Sequence, residues 1–198
     1  MRRSTAAVVT ATAIALILPA TTAAAHAASA PGFLAPADLP PHPSSDWYAG
    51  EVTAGTPDPL PFCYGQALPG ATSQHREFWT DLDAGARQVT VVEKDGASAQ
   101  RLADLLHRAV KQCAARTEAQ YPDVDATGRS LGRVKVEEGA RLYGVQVGTE
   151  HTRDIHLFSV GRDGRTVTVV QWGRMGQFKD APVAAFRETA RTSVAKLH

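Results

Sequence analysis

Two apolar runs, 155–160 and the valine-rich 166–172, flank an Asp163-Gly164 pair that can supply the positive φ angles of a tight primed turn. A β-hairpin is expected, and the turn sets its register. Val160 should face Val167, Phe158 should face Val169 and His156 should face Gln171, while Leu157 with Val170 and Ile155 with Trp172 occupy the other face. Both faces are partly apolar. One must meet a helix, and the other must meet an N-terminal arm or something outside the chain.

The remaining elements fall around this hairpin. Strand-like runs occur at 74–79 and at 87–93, the second rich in valine and bounded by Gly85 and Gly96. From 98 to about 118 the apolar residues Leu102, Leu105, Leu106, Ala109, Val110 and Cys113 recur at helical spacing, with Asp95 or Ser98 placed as cap and Pro122 limiting continuation. After a loop over 121–130, the runs 133–137 and 141–147 read as strands. A last helix is expected over 182–197, capped by Asp180, with Val183, Phe186, Ala190, Val194 and Leu197 as its buried stripe. Five or six mostly antiparallel strands packed by two long helices make an α+β fold.

The N-terminus has a different character. Arg2 and Arg3 precede an apolar stretch over 6–18 and then small residues, the layout of a secretory signal peptide, with cleavage expected after Ala27. The next segment, 28–61, contains eight of the twelve prolines, so it cannot hold a long regular element. Phe33, Leu34, Leu39, Trp47, Tyr48 and Leu60 make it too apolar for a free linker. It is expected to wrap the domain formed by 62–198, with a short helical turn near 35–39.

Export determines how the cysteines are read. Cys63 and Cys113 are the only two, and an oxidising compartment makes their pairing the expected state. Such a bridge closes a loop of about 50 residues and contributes roughly 4 kcal/mol by chain entropy. Without Arg2 and Arg3 the chain carries 19 basic against 20 acidic side chains. That balance gives no long-range field for phosphate, so nucleic acid and anionic membrane are poor partners for the mature chain.

Local signals of catalysis are missing: there is no GxSxG elbow and no HExxH. Ser159 near His156 reads as ordinary sheet chemistry. His151, Asp154 and His156 are of metal-ligand type, but their spacing fits no zinc pattern, and the Asp81/Asp83 and Asp123/Asp125 pairs read as plain loops. The Gly173-Arg174-Met175-Gly176 run follows a strand, whereas the nucleic-acid clamp of that pattern needs helices on both sides. It reads as a flexible border to a pocket. Trp172, Ile155, Leu157 and Val170, bordered by Arg174, are an apolar wall of the kind that lines small-molecule sites, if no helix covers it.

The order of features resembles a known family. Phe33-Leu34 to Asp38-Leu39-Pro40, Trp47, Cys63, the strand ending at Glu93, the alanine-rich helix reaching Cys113, and the run from Val160-Gly161-Arg162-Asp163-Gly164 to Val170 before a terminal helix are similar to the actinobacterial PknH-like extracellular sensor domains. That resemblance implies an α+β domain with a ligand-binding cleft and no catalytic activity. The kinase-linked members have two disulfides and a membrane tether, which this sequence lacks. The expectation is therefore a secreted, monomeric, non-enzymatic domain binding a small or lipid-like extracellular ligand without cofactor or metal, through Trp172, Ile155, Leu157, Val170 and Arg174. The alternatives are an interaction or inhibitor module contacting an extracellular protein, and a hydrolase with a dispersed site.

Overall fold

The computed structural model describes residues 30–198; the expected signal peptide, 1–27, and the first two residues of the arm lie outside them. The elements are β1 (Tyr48–Ala49), β2 (Thr53–Ala54), β3 (Ser73–Trp79), β4 (Gly85–Val92), α1 (Gly96–Lys111), α2 (Cys113–Gln120), β5 (Asp125–Val134), β6 (Ala140–Gly148), β7 (Arg153–Asp163), β8 (Thr166–Met175) and α3 (Val183–Ala195). All strands join one antiparallel sheet in the order β1-β3-β4-β8-β7-β6-β5, with β2 also on β3. The α+β class stands, with eight strands rather than five or six because two two-residue strands from the arm join the edge.

Side-chain alternation divides the sheet into two faces. On one, Val89, Val91, Tyr143, Val145, Phe158, Val160, Val167 and Val169 pack beneath Leu102, Leu106 and Val110 of α1 and Ala114 of α2. On the other, Phe78, Leu142, Ile155, Leu157, Val170 and Trp172 pack beneath Phe186, Ala190 and Val194 of α3 and beneath Leu34 and Leu39 of the arm. The arm is thus a fixed layer of the fold. The Leu34 amide donates to the Gln88 side chain (2.7 Å), Arg76 donates to the Leu34 carbonyl (2.9 Å), and Thr189 of α3 donates to the Asp38 carbonyl (2.6 Å).

Asp95 caps α1 as expected, accepting the Ser98 amide at 2.7 Å. The disulfide joins Cys63 to Cys113, with Cα atoms 5.1 Å apart. It pins the start of α2 to the end of the arm.

Four local expectations are corrected. The hairpin turns at Gly164-Arg165, with Gly164 at φ +52°, so Val160 faces Val169, Phe158 faces Gln171 and His156 faces Gly173. On the other face Leu157 meets Trp172, Ser159 meets Val170 and Ile155 meets Arg174. That slip of two residues leaves every side chain on its expected face, because the strand period is two. The helix over 98–118 divides at Gln112 into α1 and α2. The expected loop over 121–130 is largely β5, and most of 135–139 is a turn. Asp180 bonds back to the Gln177 amide (2.9 Å), and the N-cap of α3 is Pro182. Among the described residues no helix is long and apolar enough to cross a membrane.

Candidate functional site

α1 and α2 cover only part of their face of the sheet. Toward the Trp79 end of β3, the side chains of Glu77 (β3), Arg87 (β4), Gln171 (β8) and His156 (β7) line a cavity of about 320 Å³, with Asp83, Asp154 and Arg174 around its mouth. The strand registers place Glu77 directly opposite Arg87, and Arg87 directly opposite Gln171. Glu77 and Arg87 form an ion pair across the floor. Strand alternation holds these side chains on one face, so their convergence follows from register alone.

The segment around Cys63 borders this region from above. Phe62 packs on the His156 ring with centroids 5.1 Å apart, and the Tyr64 ring stands edge-on to Phe158 at 6.1 Å. Tyr64 is 1% exposed. Burial pushes its phenol pKa up, Arg87 opposing and Glu77 reinforcing that shift. Gly173 leaves room for His156: a Cβ there would lie 2.5 Å from the imidazole Nδ1. Burial holds the His156 pKa below its usual value, against the attraction of Asp154, so the ring is neutral near pH 7.

Three buried polar atoms of this region have no hydrogen-bond partner within the protein: Tyr64 Oη, His156 Nδ1 and Gln171 Oε1. Leaving a buried donor or acceptor unmet costs roughly 1–3 kcal/mol each. Two of them, His156 Nδ1 and Gln171 Oε1, belong to side chains that line the cavity, whereas Ser159 Oγ and Trp172 Nε1 are equally unpartnered on the α3 side. Neutral imidazole and phenol can each donate or accept, and the amide oxygen accepts.

The residues expected to form an apolar wall separate in the structure. Ile155, Leu157 and Val170 are fully buried and Trp172 is 3% exposed, all beneath α3. They are core, because α3 and the arm supply the cover that the sequence left open. Arg174, at the end of β8, lines the cavity mouth and donates to the Met175 carbonyl at 3.2 Å. Ser159 lies on the opposite face from His156 and forms no pair with it. No group of three or more metal-ligating side chains occurs among the described residues.

The sequence places His156 and Gln171 on one face but carries no sign that either is buried. Tyr64 was missed; its signal was adjacency to Cys63, since a bridge to Cys113 must bring it under the helical layer. Glu77 and Arg87 were legible only as members of adjacent strands.

No protein-family model matches the sequence, and no curated protein does. Among solved structures, the extracellular domain of PknH from Mycobacterium tuberculosis is similar with a TM-score of 0.46 and 10% identity, over 79% of this chain and 93% of that one. This is a weak, fold-level likeness without a shared sequence family.

Proposed function

We propose that the chain is an exported, non-enzymatic, sensor-type binding domain whose ligand is a small polar molecule held in the cavity over β3, β4, β8 and β7. The observation that carries this reading is the pair of unpartnered atoms on His156 and Gln171, both of which line the cavity. A ligand offering one acceptor or donor to each would offset their desolvation, while Glu77 and Arg87 would orient its charge. At about 320 Å³ the cavity sits at the small end of ligand sites, roughly 300–1,000 Å³. Its charged and amide lining favours a polar molecule over the lipid-like one expected from the apolar wall.

The disulfide fits export to an oxidising compartment. Native mass spectrometry of the chain secreted into its own growth medium is the direct test. A co-purifying mass that disappears in both His156→Phe and Gln171→Leu variants is expected. Bare protein from medium, together with no thermal stabilisation by a panel of amino acids, polyamines and sugars, would reduce the cavity to a hydrated gap.

A further inference from the structure

At the opposite end of the α1-covered face, β5 and β6 hold a second concavity. Arg133 and Arg141 stand directly across from one another there. Like charges at directly opposed positions destabilise a strand pair, and among the described residues neither arginine has a carboxylate within salt-bridge distance. Lys111, at the end of α1, joins them around a cavity of about 450 Å³ whose lining contains no acidic side chain.

The pairing is made by a bulge. Ser130 faces Tyr143, yet Arg133 faces Arg141, because the register shifts by one residue between Ser130 and Gly132. Without that extra residue Arg133 would point to the α3 face. Gly132 supplies the required φ of +90°, and Arg187 of α3 donates to the Leu131 and Arg133 carbonyls, holding the bulge from behind. The bulge thus sets side by side two guanidiniums that have no carboxylate partner.

We propose that this cavity binds a phosphomonoester, its dianion bridging Arg133 and Arg141 with Lys111 at the edge. Two guanidiniums offer paired donors matched to phosphate oxygens, and a lysine adds a third positive charge. His107, which accepts or donates at 3.2 Å to the Tyr143 hydroxyl, lines an adjoining recess that Arg133 and Arg141 share with Asp104 and Glu138. Its pKa is lowered to about 4 by burial first, then by Arg141, opposed by Asp104, with Arg133 adding to the depression. A bound dianion would cancel the effect of the two arginines.

The test is calorimetry of the secreted chain with glycerol 3-phosphate against sodium chloride of equal ionic strength, with the His107 imidazole followed by NMR. Saturable binding, an upward move of the His107 titration, and about tenfold weaker binding in Arg133→Gln and Arg141→Gln are expected, the loss of one charge-assisted contact. Both variants should also melt at a higher temperature than the parent without phosphate, which a merely structural arginine would not produce. A parallel arm with vesicles containing phosphatidic acid separates sources: binding only there identifies a lipid headgroup as the phosphomonoester. Absence of binding in both arms, or equal binding by the variants, overturns the proposal. The His156 cavity is a separate site, so either test can fail alone.

Discussion

Gly173 and His156 show how one absent side chain positions another. Directly across the β7–β8 ladder, glycine gives the imidazole the space in which it is buried and neutral. His107 reaches the same protonation state by a different balance, with Arg141 and Arg133 adding to burial. Both folded-state pKa values lie below the unfolded value of about 6.5, so only the unfolded chain gains a proton as pH falls past 6.5. Stability should be full above pH 6.5 and decline toward pH 4, with His107 alone accounting for at most about 3 kcal/mol. Urea midpoints at pH 7.0 and 4.5 measure this, and His107→Asn should flatten the decline; equal midpoints in the parent would show both rings protonated in the fold. At this scale alternation puts His156 and Gln171 on one face, while the direct pairing expected from the turn is replaced by His156 opposite Gly173. It could not show that they were buried, because burial depends on Phe62 and Tyr64 arriving from another part of the chain.

Elements with a strong apolar period were legible, and those without one were not. α1 and the β7–β8 hairpin were found because leucine and valine recur at the helix and strand spacings. β5 was read mostly as loop because only Ala126 and Val134 of its ten residues are buried; an edge strand rich in charge and glycine lacks the alternation that marks a half-buried one. Its bulge, and therefore the Arg133–Arg141 pair, was invisible for the same reason. The disulfide was legible from the expected export and the count of two cysteines. It fastens α2 to the segment bearing Phe62 and Tyr64, so its loss should act at two places. A Cys63→Ser/Cys113→Ser variant should lose about 2–5 kcal/mol in urea denaturation. It should also show faster exchange of the amides over 62–67, since the bridge sits beside them. Unchanged exchange there would mean that packing against α1 is sufficient to hold Tyr64 in place.

In the whole molecule, the sheet is a wall with different roofs. α1 and α2 leave the Trp79 end of one face open, where the candidate site lies, while α3 and the arm close the other completely around Trp172. Which apolar face would be covered could not be read from strand patterns, because both faces carry valine and aromatics; the deciding contacts span more than a hundred residues, as between Asp38 and Thr189 or Lys196. The arm therefore belongs to the core. Removing residues before Asp46 would strip Leu34, 0% exposed, and Leu39, 5% exposed, from the α3 side. It would also take away the partner of buried Gln88, whose side chain otherwise donates to Thr168 at 3.1 Å. Losing the two leucines and one buried hydrogen bond should cost on the order of 5 kcal/mol or more, comparable to the whole stability of many domains. Leu34→Ala alone should cost about 2–5 kcal/mol and keep the loss measurable where the truncated chain does not fold. Hydrogen exchange should then accelerate in α3 and at Gln88 before it does in α1, because only the α3 face has lost its cover. A truncated chain with an unchanged urea midpoint would make the arm a linker and leave the burial of the Trp172 face to α3 alone.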